Sequence, residues 1–289
     1  MKNKGINLKR IAIVGVGLIG GSLGLALKKR NLIKEVVGIG RRQESIDKAL
    51  QAGAVDRGTL KLEEGVKDVD LVVIATPVGS ITEMIKRTII ALPQRAIITD
   101  VGSTKEKIVI EVDRIIPKKI SFIGGHPLAG SEKSGVEAAR EDLFVDSVCV
   151  LTPGKTTLPG VLATISSFWE NVGARVIVMK PEEHDFLIAA TSHLPHLVSA
   201  ALVSLTGRLE GEKEGLLPLI ATGFKDTTRI ALSSPEVWKD IYLTNGKNII
   251  SMVGRFQELL EEIKGYILKE EGALLQEELD RVRVFRGRC

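Results

Sequence analysis

Short runs of β-branched apolar residues alternate with amphipathic stretches through residues 1–179. Such alternation is typical of β–α–β units that build a parallel sheet. Strands are predicted at the following positions: residues 10–14, 35–39, 71–75, 96–99, 121–124, 147–151 and 175–179. Between the second and third of these, Ile46, Ala49 and Leu50 are spaced to share one face of a helix at residues 43–51. The pattern therefore predicts an α/β fold with an open, doubly wound, mostly parallel sheet.

The pattern changes after residue 180, where long stretches rich in Leu, Ala, Glu and Lys replace the strands. Helices are predicted over the following residues: 182–209, 215–222, 235–260 and 261–284. Breaks are expected near Gly211, Gly223 and residues 233–235. These helices carry more apolar residues than one buried face needs, so we expect them to form a dimer interface as well. The sequence thus predicts two domains, a sheet domain at residues 1–179 and an all-helical dimerisation domain at 180–289.

Composition indicates an ordinary globular protein, because 44% of the 289 residues are apolar and 26% are charged. The net charge of +4 is spread along the chain and suits an anionic substrate through steering. Basic residues cluster only at 281–288, where a solvated helix face is favoured over a nucleic-acid site. The two cysteines, Cys149 and Cys289, show neither disulfide nor metal spacing, and no signal or membrane segment is evident. We expect a cytoplasmic location.

A glycine-rich turn with the spacing Gly15-x-Gly17-x-x-Gly20 directly follows the first predicted strand and opens an apolar helical stretch. Gly15 would make the tight turn, Gly17 would let a pyrophosphate approach, and Gly20 would let helix and strand pack closely. The N–H groups at the helix start, around Leu18 and Ile19, would face the phosphate charge. Because a strand precedes the turn and a helix and second strand follow it, a Rossmann-type dinucleotide site is favoured over a purely structural turn.

The second predicted strand ends without the Asp or Glu that would bind the ribose of NAD. Arg41 and Arg42 occupy that place, and an arginine there can hold the 2′-phosphate of NADP. The cofactor is therefore expected to be NAD or NADP, with NADP favoured, and two solvated loop charges are the alternative interpretation. Thr76 and Pro77 follow the strand predicted at 71–75, at the edge where such sheets bind ligands, although Pro77 would also serve simply to end the strand.

A histidine in a glycine-rich segment is the strongest candidate for proton transfer. His126 follows the strand predicted at residues 121–124, so we expect it on a loop at the same edge of the sheet. The pKa of histidine lies near neutral pH, and a loop would leave the ring reachable, so His126 is a candidate general base. A loop histidine bonded to backbone is the alternative. Ser103 follows an adjacent strand and is expected to place its hydroxyl beside His126.

The helical region adds a second group of polar residues. His193 and His196 are three positions apart, but no Cys, Asp or Glu completes a compact site, so no metal is expected. Asp226 and Arg229 have the same spacing, for which a surface ion pair is the plain interpretation.

Taken together and in order, these motifs resemble the prephenate/arogenate dehydrogenase family of tyrosine biosynthesis. The resemblance spans nearly the whole chain and rests on HPLAGSE at residues 126–132, SHLPH at 192–196, GFKDTTR at 223–229, and Trp238. It implies oxidative decarboxylation of a cyclohexadienyl acid with hydride transfer to NAD(P), in a homodimer joined through the helical domain. Prephenate and arogenate differ only at a keto or amino group of the side chain, so both remain candidate substrates.

The resemblance also implies roles for individual residues. His126 would accept the proton of the C4 hydroxyl as hydride leaves that carbon, and Ser103 would orient both groups. Arg229 would bind the ring carboxylate and would be held in place by Asp226. Other residues would line the substrate pocket: His196, Ser192, Ser131, Glu132 and Trp238. Core packing is the alternative for Trp238.

Two other functions remain open from the sequence. Another two-domain NAD(P)-dependent hydroxyacid dehydrogenase would rely on a lysine of the helical domain, for which Lys225 is a candidate, but the segment around His126 would then be unexplained. A non-catalytic NADP-sensing dimer is the alternative from a different class. In each case we expect a small-molecule ligand and a second copy of the chain as partners, with no nucleic acid and no membrane.

Overall fold

The computed structural model describes residues 8–92, 96–131, 133 and 135–288. Within these residues the chain forms one eight-stranded sheet. Its strands have these bounds: β1 Arg10–Val14, β2 Glu35–Ile39, β3 Arg57–Thr59, β4 Leu71–Ile74, β5 Ile97–Asp100, β6 Ser121–Pro127, β7 Val148–Pro153 and β8 Arg175–Val178. Their spatial order is β3-β2-β1-β4-β5-β6-β7-β8, and only β6 and β7 pair antiparallel. The predicted doubly wound, mostly parallel sheet is confirmed.

Helices cover both faces of this sheet. Their bounds are α1 Leu18–Lys29, α2 Gln43–Gln51, α3 Leu62–Val66, α4 Ile81–Ala91, α5 Glu106–Ile115 and α6 Pro159–Val172. Along β1, Ile11 and Ile13 belong to the core layer with α1 and α6, whereas Ala12 and Val14 belong to the layer with α4 and α5. Because both faces are covered, the central strands are apolar at successive positions rather than at alternate ones.

The site-forming edge of the sheet is the one at which the parallel strands end. The strand order reverses between β1 and β4, and the carboxyl ends of such strands open a crevice that binds ligands. Gly15 follows β1 at this point, and Thr76 lies just beyond β4. Since β5 and β6 run parallel to β4, they bring Asp100 and His126 to the same edge.

After β8 the described chain is helical apart from short turns. The helices have these bounds: α7 Pro181–Ile188, α8 Leu194–Glu212, α9 Thr222–Thr228, α10 Pro235–Thr244, α11 Gly246–Leu268 and α12 Gly272–Arg286. A π-helical turn, Ala189–His193, joins α7 directly to α8. Such wide turns are frequent at functional sites. The predicted all-helical second part is confirmed.

Several boundaries in the helical part differ from prediction. Residues 215–222 are not one helix, because Gly215 has φ +116° and only a short 3₁₀ turn precedes α9. Gly223 lies in the first turn of α9 rather than at a break. The helix predicted at 235–260 is interrupted at Asn245, between α10 and α11. The edge strand β3 lies outside the predicted set, because its sequence has no apolar alternation.

One helical stretch, Pro181–Glu212, is long and apolar enough to cross a membrane by length and composition. Only 28% of its most apolar window is buried within the chain, and Leu205 and Leu209 are among its exposed side chains. A bilayer and a second protein chain would both cover such a surface.

The close packing of α1 against the loop after α2 gives a test of the fold. A Cβ atom on Gly24 would lie 2.0 Å from the backbone oxygen of Ala54, so Gly24→Ala must push helix and loop apart. We expect a loss of about 1–3 kcal/mol of stability, measured by urea unfolding at fixed protein concentration. Gly160→Ala in α6 is the matched control, since no atom lies within 4 Å of its Cβ position. Equal unfolding midpoints for the two variants would contradict this packing.

Candidate active site

The glycine turn has the geometry that its spacing predicts. Gly15 has φ +102°, a conformation that favours glycine, and a Cβ there would lie 2.5 Å from the carbonyl oxygen of Ala75. A Cβ on Gly20 would lie 2.0 Å from the carbonyl oxygen of Gly15. Any side chain at these two positions would therefore displace the turn or helix α1.

Gly17 plays a different part, since it leaves space rather than filling it. It is the N-cap residue of α1, has no side-chain cap, and has no atom within 4 Å of its Cβ position. The first N–H groups of a helix, here from Leu18 onward, have no acceptor in an earlier turn. An open helix start with free donors and a positive dipole end suits a diphosphate. The residues of this turn therefore fit a dinucleotide.

The other proposed cofactor residues flank this turn. Arg41 and Arg42 follow β2 with exposed side chains, and the Arg42 carbonyl oxygen accepts the backbone N–H groups of Ser45 and Ile46 at the start of α2. Thr76 lies against the glycine turn, because its backbone nitrogen is 3.2 Å from the Cβ position of Gly15. The Ser80 hydroxyl donates to the Pro77 carbonyl at 2.8 Å and also contacts Thr76, so the segment beside the turn is held in place.

His126 lies on strand β6 rather than on a loop, which corrects the sequence prediction. The strand continues to Pro127, and His126 pairs with Val150 of the antiparallel neighbour β7. The strand can continue here because the two preceding residues are glycines, and neighbouring atoms leave no room for a side chain at either position. A Cβ on Gly124 would lie 2.4 Å from Thr152 Oγ1, and one on Gly125 would lie 2.7 Å from the carbonyl oxygen of Asp100. The ring of His126 is therefore fixed by a strand and is only 9% exposed.

The ring of His126 is also bonded to a second histidine that the sequence did not single out. His126 Nδ1 and His184 Nε2 are 2.8 Å apart, and the two rings meet edge to face. Burial lowers the pKa of His126 well below the ordinary histidine value of 6.5, and His184, Lys105 and His193 lower it further. His126 is therefore neutral at neutral pH and can accept a proton.

A fully buried ion pair lies beneath His126. Lys105 Nζ donates to Asp100 Oδ2 and, at 2.9 Å, to the carbonyl oxygen of Gly125. The Asp100 carboxylate also accepts the backbone N–H of Gly102 at 2.8 Å and that of Gly125 at 3.2 Å. These bonds fix the backbone on both sides of the β5–β6 junction, one residue from His126.

His184 continues the chain of contacts into the helical part. Its Nδ1 lies 2.8 Å from Asp185 Oδ1, and both side chains are buried on α7. Asp185 accepts the backbone N–H of Lys105 at 2.7 Å and that of Glu106 at 3.0 Å, at the start of α5. Asn245, at the break between α10 and α11, donates to the Asp185 carbonyl at 2.7 Å. These contacts join the sheet and helical parts directly behind His126.

An aromatic cluster lies on the helical side of the site. The rings of His196 and Trp238 stack with centroids 3.5 Å apart, and Tyr242 lies 2.6 Å from His196 Nδ1. Burial lowers the pKa of both His196 and His193, the latter to about 4. His193 Nδ1 lies 3.1 Å from the Asn245 side-chain nitrogen, and its Nε2 is buried without a hydrogen-bond partner among the described residues.

The remaining predicted residues are half-buried or exposed. Ser103 is half-buried between β5 and α5, and Ser192 is exposed in the π-helical turn. Asp226 and Arg229 are exposed at α9 and the 3₁₀ turn after it, which packs against α8. Ser131 is exposed and accepts the backbone N–H of residue 133 at 3.1 Å.

Two residues named from the sequence, Glu132 and Cys289, lie outside the described residues.

Comparison with known proteins agrees with this arrangement in both parts of the chain. A family model described as the nucleotide-binding domain of prephenate dehydrogenase matches residues 23–178, and one described as its dimerization domain matches residues 180–281. Prephenate dehydrogenase of Bacillus subtilis is 39% identical over 90% of this chain and 71% of its own length. Cyclohexadienyl dehydrogenase of Zymomonas mobilis is 32% identical over 93% of this chain and 92% of its own.

A solved structure shows the same fold over almost the full length. It is that of prephenate dehydrogenase from Aquifex aeolicus in complex with hydroxyphenyl propionate and NAD⁺, at 36% identity and a TM-score of 0.92. The alignment covers 98% of this chain and 99% of that one. The chain therefore belongs to the prephenate dehydrogenase family of NAD(P)-dependent oxidoreductases.

Proposed function

We propose that this chain catalyses the oxidative decarboxylation of prephenate or arogenate in tyrosine biosynthesis. The observation that carries the proposal is the position of His126. It is a neutral, buried histidine held at the same sheet edge as the glycine turn, and its Nδ1 is bonded to His184 at 2.8 Å. A base in this place can act on a hydroxyl of a substrate bound beside a dinucleotide.

The proposed reaction needs one proton acceptor and one hydride acceptor. His126 accepts the proton of the C4 hydroxyl while the carbon–hydrogen bond at C4 breaks. The nicotinamide, when bound, supplies the hydride acceptor. Loss of CO₂ from the resulting dienone gives an aromatic ring, and His126 can return its proton to the phenolate oxygen. Aromatisation drives the step, so the site needs no strong acid.

Substrate binding is proposed to fall to the helical side. Arg229 would bind the ring carboxylate and Asp226 would orient it, because the turn that begins at Arg229 packs against helix α8, which carries His196. The other pocket residues are proposed as the resemblance implies: Ser103 beside His126, with His196, Ser192, Ser131, Glu132 and Trp238 around the substrate. The stacked pair of His196 and Trp238 gives this wall a fixed shape.

The two parts of the chain are proposed to divide the work. Residues 1–179 would bind the dinucleotide, and 180–289 would bind substrate and form a homodimer. Exposed leucines in the helical part support this pairing, with Leu217, Leu219 and Leu232 each more than 60% exposed in the single chain. The apolar surface of α8 would then meet a second copy rather than a bilayer. We place the protein in the cytoplasm, with no nucleic-acid partner.

The cofactor is proposed to be NADP in preference to NAD. Support comes from Arg41 and Arg42, which follow β2 where a carboxylate would bind the NAD ribose, and whose guanidinium groups are exposed. The Aquifex relative was solved with NAD⁺, so the preference depends on these two residues of this chain rather than on the family.

Replacing the proposed base tests the reaction directly. We expect His126→Asn to lower kcat roughly 10²- to 10⁴-fold with little change in KM, because the proton acceptor is lost while the binding residues remain. Formation of reduced nicotinamide from prephenate and from arogenate, each with NAD and with NADP, is the measurement. A near-wild-type kcat would remove His126 from the mechanism, and no turnover of either substrate by the wild-type protein would refute the function.

Replacing the proposed carboxylate-binding residue separates binding from chemistry. We expect Arg229→Ala mainly to raise the KM for substrate, by about 10-fold or more, because a charge-assisted bond to a carboxylate is lost. The control is Arg175→Ala, which removes one positive charge from the exposed end of β8. Equal KM values for the two variants would exclude a specific role for Arg229.

The cofactor preference has its own test in the loop after β2. In the double variant Arg41→Ala/Arg42→Ala we expect kcat/KM for NADP to fall roughly 10- to 100-fold, because contacts to the 2′-phosphate are lost. The value for NAD should change little. If the double variant keeps the wild-type ratio of kcat/KM for NADP to kcat/KM for NAD, neither arginine binds the 2′-phosphate.

A further inference from the structure

The contact between His126 and His184 is part of a longer line of buried polar groups. His126 Nδ1 lies 2.8 Å from His184 Nε2, and His184 Nδ1 lies 2.8 Å from Asp185 Oδ1. Asp185 in turn accepts two backbone N–H groups at the start of α5. The line therefore runs from the proposed base to a carboxylate held at a positive helix end.

The order of donors along this line follows from its fixed end. An ionised carboxylate only accepts hydrogen bonds, so His184 Nδ1 must carry the proton that it shares with Asp185. A neutral His184 then has a lone pair on Nε2, and His126 Nδ1 must donate to it. The proton of neutral His126 is thereby placed on Nδ1, and its lone pair is left on Nε2. This is the tautomer that a general base needs if Nε2 faces the substrate.

We propose that His184 and Asp185 are positioning residues that hold His126 in this tautomer and take up the charge of the abstracted proton. This inference rests on the proposed function of His126. When the substrate O–H bond breaks, a new N–H bond forms at His126 Nε2. The proton on His126 Nδ1 then moves to His184 Nε2. His126 becomes neutral again, and the positive charge lies on His184 beside the Asp185 carboxylate.

The surroundings of His126 explain why transfer of the positive charge to His184, beside Asp185, is useful. Lys105 and Asp100, from β5 and the segment leading to α5, neutralise each other. Cys149 of β7 is buried, and burial raises the pKa of its thiol, so it remains neutral. His193 of the π-helical turn is also neutral, since its pKa is about 4. Asp185, reached through His184, is therefore the anion that can balance a positive charge on the pair of rings.

Metal binding does not account for these side chains. Within the described part of the chain, no group of three or more His, Cys, Asp or Glu residues is arranged to hold a metal ion. His126 Nδ1 is instead hydrogen-bonded to His184 Nε2, and His184 Nδ1 is hydrogen-bonded to Asp185 Oδ1. A line of successive hydrogen bonds is the geometry of proton transfer and tautomer control.

The tautomer can be measured without substrate. The chain has four histidines, so ¹⁵N labelling of histidine gives a spectrum with few signals, which single-histidine variants can assign. We expect wild-type His126 to carry its proton on Nδ1 and to have a bare Nε2 at neutral pH. A proton on Nε2 instead would overturn the proposal. The tautomer can be measured without turnover. A failure of the proposed function and a failure of this proposal are therefore distinguishable.

Asp185→Asn is the isosteric test of the line. Asp185 Oδ1 accepts both from His184 Nδ1 and from the backbone N–H of Lys105, so Asn keeps its carbonyl oxygen there and its NH₂ group replaces Oδ2. The donors along the line then stay as they are, but the negative charge that balances a proton on the two rings is lost. We expect kcat to fall roughly 10-fold or more with KM little changed, and the His126 proton to remain on Nδ1. An unchanged kcat would overturn the proposal.

A matched control separates loss of the balancing negative charge from loss of a structural carboxylate. Asp113 also accepts two backbone N–H groups, from Lys155 at 2.8 Å and Thr156 at 3.2 Å, but it lies on α5 away from the histidines. Asp113→Asn should lose comparable stability and keep the wild-type kcat and His126 spectrum. An equal loss of kcat in both variants would assign Asp185 a purely structural role.

His184→Phe tests the contribution of the second ring through the His126 tautomer and kcat. Phe keeps a ring of similar size but has no nitrogen, so His126 Nδ1 loses its hydrogen-bond partner and has no path to Asp185. We expect the His126 proton to move in part from Nδ1 to Nε2 and kcat to fall roughly 10-fold or more. A His126 proton that stays wholly on Nδ1, together with an unchanged kcat, would contradict the proposed role of His184.

Discussion

The arrangement of the site depends on one buried ion pair, Lys105 with Asp100. Both side chains are fully buried, so each charge relies on the other, and removing either partner alone would cost roughly 3–5 kcal/mol. The pair does more than neutralise itself, because it also bonds both backbone groups of Gly125 and the backbone N–H of Gly102. The residue before His126 is therefore fixed in position. The backbone N–H of the same lysine meets Asp185, so the helical part is aligned by the same few atoms.

The sheet and the glycine turn were predictable because their signals are local. Uninterrupted apolar runs identified β1 and β2 with the bounds that the structure has, and the spacing of three glycines identified a turn whose Cβ positions are blocked or open as expected. The extension of β6 was not predictable in the same way. Gly124 and Gly125 have low strand propensity, yet both pair with β7. Thr152 and Asp100 approach these positions too closely for any larger residue.

The polar core of the site was missed for a related reason. His184 and Asp185 follow two glutamates at the start of α7, and such a run is typical of a solvated helix face. Lys105 likewise resembles a surface lysine. Their burial comes from contacts across as many as 80 residues of sequence, as between Lys105 and Asp185. The sequence around Asn245 did not indicate a role for it either. Its side chain donates a hydrogen bond to another helix, and the pattern of its own helix does not show this.

The same burial sets the chemical character of the site. A histidine whose pKa lies well below 6.5 is a weak base, and a weak base is expected to abstract a proton slowly. The hydroxyl of the proposed substrate, however, becomes acidic only as hydride leaves its carbon and a carbonyl forms. A weak base that is always neutral then suffices, and it avoids placing a cation beside the positively charged nicotinamide before hydride transfer. Burial of His126 is therefore consistent with coupling proton removal to hydride loss, since neither step is favourable without the other.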